Sequence, residues 1–388
     1  MKKILILNGS HSEIPLIKES KKLGLFVITS GNNPKLIGHK YSDLYINEDF
    51  SKKERILDIS INHGIDYICS ASNDFAVISA SYVAEKLGFP GYDSFKTTLT
   101  LHQKDKFKKI ACKLKLNIPK YLSCSLDEKN ILRDNYINLP FMVKPVDLTG
   151  GKGITKVNKI EELKKAMDNA FNASKAKRII IEEYIDGSLH SFSTIIIGKV
   201  VAFYFSDNEF SPFNPYHVTA SFSPSTNIYK IKNNLVRQIE NLARELNLKD
   251  GIFHVQYIYS KSRFYIIDIT RRCSGDLYPL PVYYSSGLNL SKFIIDSAMG
   301  KISINLNRFK QTGFYGRYCV LSNKEGKFSH FLMNDKIKKY VKEFHYLVSE
   351  GEYIYVNQKI LVLILKFKSK IDISLLPKFE NYFEIKVD

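Results

Sequence analysis

Cysteine is scarce in this 388-residue chain, and Cys69, Cys112, Cys124, Cys273 and Cys319 are odd in number, widely scattered, and without a CxxC pair or histidine at metal-ligand spacing. That pattern excludes a disulfide framework and a zinc site, and it predicts reduced thiols, mostly in the core. Also missing is any run approaching the ~20 apolar residues that span a bilayer, so no membrane anchor is expected. Ile4 to Leu7 behind Met1-Lys2-Lys3 imitates the start of a signal peptide, but the run stops at Asn8-Gly9-Ser10 and reads as a first β-strand. A cytoplasmic location is the resulting expectation. There is no arginine-aromatic tract of the RNA-binding kind, no low-complexity segment and no internal repeat. Acidic residues number 39 against 57 lysines and arginines, a net charge of +18. The lysines are spread through every segment, so the excess reads as a solvated basic surface plus a site for an anionic small molecule. Neither nucleic acid nor a membrane is an expected partner.

With 44% hydrophobic and 25% charged residues, the chain can build two or three packed domains. Residues 1–95 alternate β-branched runs (Ile4-Leu7, Leu25-Thr29, Leu44-Ile46, Asp66-Cys69) with amphipathic stretches near 12–23, 51–63 and 74–87, the pattern of a parallel sheet with crossover helices. Asn8-Gly9-Ser10 follows the first strand where open α/β sheets bind ligands, but it lacks GxGxxG and also suits a plain βα turn. Leu87-Gly88-Phe89-Pro90-Gly91 breaks the pattern, and a lysine-rich helix near 103–116 opens a second domain over 96–305. There the strands gain antiparallel character (179–185, 191–197, 199–205, 252–259, 264–269) around a long helix near 231–246. From 306 to 388 the chain reads as mostly β, with strands at Tyr315-Val320, Gly351-Val356 and Ile360-Phe367 and a helix near 334–343.

Three stretches carry chemistry. In Phe141 to Ile154 an apolar strand delivers Lys144, and a turn rich in glycine (Thr149-Gly150-Gly151-Lys152-Gly153) follows. Its backbone N–H groups can close on a phosphate with no Cβ in the way, although hairpins also use such turns. Next, Arg178 to Gly187 is an apolar strand running into Glu182-Glu183-Tyr184-Ile185, suited to the edge of an adenine base or, equally, to a half-buried strand ending at a turn. Last, Phe253-His254-Val255-Gln256-Tyr257 and Tyr265 to Arg272 form a hairpin presenting Gln256, Asp268 and Thr270, oxygen donors of the kind Mg²⁺ takes. Arg271 and Arg272 beside them could stabilise a phosphoryl group in flight or pair structurally with the aspartate. The polar, aromatic segment from Asn214 through Tyr216, His217 and Thr219 to Ser225 is a candidate for substrate contact or a surface loop.

Taken in order, Lys104-Asp105 on a helix, Lys144-Pro145, the Thr149 to Gly153 loop, Glu182 to Ile185, and Asp268-x-Thr270-x-Arg272 resemble the ATP-grasp superfamily, carboxylate-amine ligase branch. The resemblance covers the chain: a pre-ATP-grasp α/β domain (1–95), a two-lobed α+β ATP-grasp domain (96–305, with a lid over about 118–187) and a small β-rich C-terminal part (306–388). It implies an ADP-forming carbon-nitrogen ligase that activates a carboxylate as an acyl phosphate and couples it to an amine, both small molecules. It further implies ATP with Mg²⁺ or Mn²⁺, Lys104 and Lys144 on the phosphates, the Thr149-Gly150-Gly151-Lys152-Gly153 loop closing over them, and Glu182, Glu183, Tyr184 and Ile185 at adenine. The metal falls to Gln256, Asp268 and Thr270, and catalysis to Arg272, with Arg271 as a second clamp; a homodimer is an arrangement the resemblance allows. Three departures stand out: Gln256 where the pattern has Glu, Thr270 where it has Asn, and Leu189 where a Glu would hold ribose, so that either neighbouring His190 substitutes or ribose is held otherwise. A kinase-like phosphoryl transferase and a nucleotide-binding scaffold are the rival readings.

Overall fold

The structure, a computed structural model, describes residues 1–70, 72–125, 137–211, 216–369 and 378–388. Near the N-terminus, β1 (Lys3–Leu7), β2 (Phe26–Gly31), β3 (Leu44–Asn47) and β4 (Tyr67–Ser70) form a parallel sheet in the order β3-β2-β1-β4. Ile4 to Leu7 are all fully buried, because helices cover both faces of the sheet. Leu5 and Leu7 pack on the helices Lys53–Asn62 and Asp74–Leu87, while Ile4 and Ile6 pack on Ile14–Lys22 and on Leu290–Ala298. Helix 74–87 starts where Asn73 accepts from the Phe75 amide and stops at Gly88, whose φ of 71° is the left-handed conformation that glycine adopts without strain. Its first turn therefore sits at the carboxyl end of the sheet.

The lid is an antiparallel sheet of β5 (Tyr121–Ser125), β6 (Phe141–Pro145), β7 (Thr155–Val157) and β8 (Arg178–Glu183), ordered β5-β8-β6-β7. Strand alternation divides its faces. Phe141, Val143, Ile179 and Ile181 pack under helix Leu163–Ala173, which leaves Lys144 and Glu182 on the opposite face.

The largest sheet uses β9 (Ser188–Ile197), β10 (Val200–Phe210), β11 (Ala220–Ser223), β12 (Gly251–Ser260), β13 (Arg263–Thr270) and β14 (Phe314–Leu321). After β14 come β15 (Gly326–Met333), β16 (Val341–Tyr346), β17 (Tyr353–Ile354), β18 (Lys359–Phe367) and β19 (Phe383–Val387). The order across the eight strands is β13-β12-β9-β10-β11-β14-β18-β16, and β17-β15-β19 form a small separate sheet. The amphipathic helix Ile228–Glu245 buries Ile231, Leu235, Ile239 and Leu242 against Phe192, Phe253, Val255 and Tyr257 on one face. The residues between these on the same strands face the other way, into a cleft.

Two features differ from the sequence reading. The sheet runs without a break from β13 to β16, so residues beyond 305 extend the central layer; β14 and β18 bury Tyr318, Val320, Leu361 and Leu363 together. The expected helix at 334–343 is a single turn, Asp335–Lys338, followed by β16, where Val341, Glu343 and His345 point inward and Lys342, Phe344 and Tyr346 point out with period two. Among the described residues no helix is long and apolar enough to cross a membrane. All five cysteines are free, four of them buried.

Candidate active site

A cleft of about 790 Å³ lies between the lid, the floor of the large sheet and the carboxyl end of the parallel sheet. Its floor is a polar row across the strands: Asp268 and Thr270 from β13, His254 and Gln256 from β12, Glu209 from β10 and Arg317 from β14. Gln256 stands directly opposite Asp268 in the β12–β13 register.

On the lid side, Lys144 Nζ lies 2.6 Å from Glu182 Oε2, and Lys108 Nζ lies 2.9 Å from Glu182 Oε1. Lys108, Lys144 and Glu182 are all buried, a three-charge knot in which each ion offsets the desolvation of its neighbour. Burial pushes the Glu182 carboxyl up, but the Lys108 and Lys144 charges prevail and hold it below its usual range. With Lys144 donating to one oxygen and Lys108 paired by charge at the other, Glu182 organises the cationic edge. Glu183, Tyr184 and Ile185 line the cleft beside it, and since the Glu183 and Tyr184 amides donate to the Lys120 and Pro140 carbonyls, a base edge is left to the carbonyls of this stretch and the Ile185 amide. Lys108 was missed by the motif reading, although it lies one turn after Lys104 on helix Lys104–Lys113 and so shares its face. Lys104 Nζ donates to the Leu148 carbonyl at 2.8 Å and stands 3.5 Å from Asp268 Oδ2, joining the glycine turn to the floor.

Thr149, Gly150 and Gly151 line the cleft, Gly153 packs toward Pro145 and Ala173, and the Lys152 charge acts on the cleft-lining His217. Gly151 has φ of 78°, and a Cβ there would meet the Tyr216 carbonyl oxygen at 2.4 Å. The turn therefore packs directly against the segment expected to touch substrate. Tyr216, His217 and Val218 of that segment line the cleft, while Asn214 and Pro215 lie outside the described residues.

Arg272 lines the cleft from the end of β13. Its Nη2 donates to Asp74 Oδ2 at 2.6 Å and its Nη1 to the Cys273 carbonyl at 3.1 Å, while its Nε is buried without a hydrogen-bond partner among the described residues. Asp74, carried in by the first turn of helix 74–87, also takes Thr270 Oγ1 at 2.8 Å and His102 Nδ1 at 2.9 Å. Burial pushes the Asp74 carboxyl up, yet the Arg272 charge with His102 holds it well below the usual carboxylate range. Thr270 spends its proton on Asp74, so only its lone pairs remain for a cation.

Two assignments are corrected by position. Arg271 points away from the cleft: Nε donates to Asp93 at 2.7 Å, and Nη1 and Nη2 donate to the Ile252 and Lys249 carbonyls at 2.7 and 2.6 Å. Just past the end of β13 the strand's alternation carries over, so Arg271 clamps a loop while Arg272 meets the cleft. The same alternation turns His190 to the far face, where Ser188 and Ser225 hold it at 2.6 and 3.0 Å over the Tyr257 ring, and Leu189 takes the cleft side. Burial lowers the His190 pKa to about 4, so it is a neutral core imidazole.

The far end of the cleft holds residues that no motif flagged. Asp276 receives Lys359 Nζ at 2.6 and 2.7 Å, with His11 Nε2 at 3.3 Å and Arg317 at 3.5 Å. Asp276 and Leu277 adopt φ of 57° and 60°, a left-handed pair that non-glycine residues hold only where their surroundings impose it. Ser10, Ser12 and Ser72 come in from the parallel sheet. A legible signal did exist, since Arg317 is the one charge inside the apolar run Tyr315-Val320.

Asp268 and the Gln256 amide present oxygen donors to a divalent cation, with the Thr270 lone pairs beside them. No cluster of three or more His, Cys, Asp or Glu side chains among the described residues could hold one. That donor set fits Mg²⁺, which keeps several waters and leans on substrate phosphates.

Residues 137–279 match the family model of the ATP-grasp domain. Among curated proteins, the chain is 26% identical over 228 residues to the carbamoyl phosphate synthase large chain of Caldanaerobacter subterraneus subsp. tengcongensis, a match covering 58% of this chain and 20% of that one. The chain thus spans about a fifth of the length of that relative. Among solved structures, the L-amino acid ligase from Bacillus licheniformis superposes with a TM-score of 0.81 at 17% identity, covering 100% of this chain and 99% of that one. The biotin carboxylase domain of the Hydrogenobacter thermophilus 2-oxoglutarate carboxylase, in complex with MgADP, ADP and bicarbonate, superposes at 0.78 with 17% identity, over 99% and 90%. With its lid, glycine turn and polar floor in the order its motifs run, the chain has the ATP-grasp fold, and residues 137–279 are the part that matches the ATP-grasp domain family.

Proposed function

We propose that the protein is an ATP-dependent, ADP-forming ligase that activates a carboxylate as an acyl phosphate and joins it to an amine, both small molecules. The observation that carries this reading is Arg272, a half-buried guanidinium that lines the cleft, fixed by Asp74, with a cationic wall opposite. Phosphoryl transfer needs little covalent help from protein; positioning and charge neutralisation do the work. Lys104, Lys144 and the Thr149 to Gly151 turn would hold the nucleotide phosphates, and the Glu183 to Ile185 backbone the base. Mg²⁺ on Asp268 and Gln256 would neutralise phosphate charge.

A substrate carboxylate oxygen attacks the γ-phosphorus, its bond to the β-bridging oxygen breaks, and ADP leaves. The amine then attacks the acyl carbon, phosphate leaves, and the amine gives up one proton. Arg272 is placed to take charge on the transferring group. The cationic far end, Arg317 and Lys359, suits the carboxylate partner, and Asp276 occupies those cations in its absence. The glycine turn against Tyr216 would close the cleft and exclude water from the acyl phosphate.

The superposed L-amino acid ligase supports an amino acid among the substrates, and the MgADP complex supports the nucleotide and metal. Five free cysteines fit a reducing compartment and hence a cytoplasmic enzyme. A homodimer is part of the same reading, after the superposed biotin carboxylase domain, which was solved as a dimer. The test is ADP release across a panel of carboxylates and amines with Mg²⁺ or Mn²⁺, hydroxylamine replacing the amine in one arm. Carboxylate-dependent ADP release with hydroxamate formation is expected. ADP release with no hydroxamate would favour simple phosphoryl transfer, and no release from any pair would sink the ligase reading.

A further inference from the structure

Gln256 occupies the floor position facing Asp268, and a neutral amide there leaves the cleft one negative charge short of a two-carboxylate cation site. An amide can turn either end toward a cation, and its neighbours decide which. Gln256 Nε2 donates to Glu209 Oε2 at 2.6 Å. Glu209 is on β10, two strands from β12 across β9, and only 6% exposed. A carboxylate has no proton to offer, so it fixes the nitrogen of Gln256 on its own side and leaves Oε1 as the only Gln256 atom for a cation. A carboxylate buried in the floor is costly to keep without polar partners, and Glu209 has this amide at 2.6 Å, with Ser191 and the Arg317 charge also acting on it.

Resting on the nucleotide-site reading above, we propose that Glu209 is a positioning residue for the divalent cation: it orients Gln256 as an oxygen ligand beside Asp268 and supplies the negative charge that the amide lacks. Asp268 and Glu209 together then carry the charge of two carboxylates, with Gln256 bridging the gap between them. Outer partners that orient a metal ligand typically contribute 10- to 100-fold in affinity. The charge has moved one partner outward while the strand register is kept.

The test is Mn²⁺ binding to the full-length protein in the presence of ADP, with free Mn²⁺ followed by its electron paramagnetic resonance signal. Metal-free ADP binding is measured in parallel by calorimetry. Glu209→Gln preserves side-chain volume and can still accept from Gln256, so folding is retained while charge is lost. About 10- to 100-fold weaker Mn²⁺ binding is expected, with metal-free ADP binding unchanged. The exchange variant Glu209→Gln/Gln256→Glu keeps the hydrogen bond and the charge and is expected to recover Mn²⁺ affinity to wild-type level or better, which a purely structural role for Glu209 does not predict. Unchanged Mn²⁺ affinity in Glu209→Gln, or no recovery in the exchange variant, overturns the role of Glu209 and leaves the nucleotide site standing. Wild-type protein that binds neither ADP nor Mn²⁺ overturns both.

Discussion

Arg272 serves two partners, and the geometry separates them. Two of its nitrogens hold Asp74 and the Cys273 carbonyl, so deleting the side chain would strand a buried carboxylate, a loss of ~3–5 kcal/mol in stability. Arg272→Lys keeps a charge for Asp74 but removes the planar fork. Turnover should fall about 100- to 1,000-fold, in line with losing one preorganised donor, while the melting temperature and the affinity for ATP stay close to wild type. Equal loss of binding and turnover would place this arginine in ground-state binding instead. His254 makes the opposite case, a titratable group kept neutral. Burial first, then the Arg272 and Arg317 charges, push its pKa down to about 3, and Ser193 Oγ holds Nδ1 at 2.7 Å. As pH falls below about 6.5 the unfolded chain protonates this histidine and the folded protein does not, so its contribution to stability is present above that pH and is lost toward pH 3. Denaturant titrations of wild type and His254→Gln should diverge on acidification, wild type losing up to ~1.4 kcal/mol per pH unit relative to the variant. Parallel curves would mean that His254 protonates freely in the fold.

At the scale of elements, legibility followed periodicity. Strands β1, β2, β4, β8, β12 and β13 and the helices 74–87 and 228–245 lie within a few residues of their expected bounds, because each is an uninterrupted apolar or amphipathic run. Ser10 of the first βα turn does reach the cleft. The helix expected at 334–343 failed because Lys336, Lys338, Lys339 and Lys342 imitate a solvated helical face, whereas the alternation starting at Val341 is what pairs β16 with β18. Within the site, Lys104, Lys144, Glu182, Gln256, Asp268 and Arg272 do converge on one cleft. Arg271 and His190 were displaced by strand alternation, which local motif spacing ignores. Lys108 and Asp276 lie within four residues of Lys104 and Arg272 yet outside the motif pattern, whereas Asp74, Glu209 and Lys359 come from segments remote in sequence that only tertiary packing brings in. The glycine turn gives the clearest prediction at this scale. A methyl at Gly151 collides with the Tyr216 backbone and also demands a strained φ, so Gly151→Ala should hold the turn open. kcat/KM for ATP should drop about tenfold or more, with little change in thermal stability, since the turn lies at the cleft edge. Wild-type kinetics would show that the turn need not close on that segment.

The whole molecule places three sheets around one cavity so that the cationic wall of the lid, the acidic and amide floor, and the serine- and arginine-lined far end face one another. Its +18 charge is a property of the surface, while the interior balances its ions pairwise or in threes, as at Lys108–Glu182–Lys144 and around Asp276. Such a cavity is suited to bringing two anions, a nucleotide phosphate and a carboxylate, into line, and then to sheltering the mixed anhydride that the proposed reaction would form. The most direct test of that claim is isotope transfer. The protein is incubated with Mg²⁺, ATP, an accepted carboxylate labelled with ¹⁸O on both oxygens, and the amine, and the inorganic phosphate is analysed by mass. Acyl phosphate formation requires one labelled oxygen in each phosphate released, matched one for one with ADP. Phosphate that forms together with ADP and amide but carries no label would contradict it.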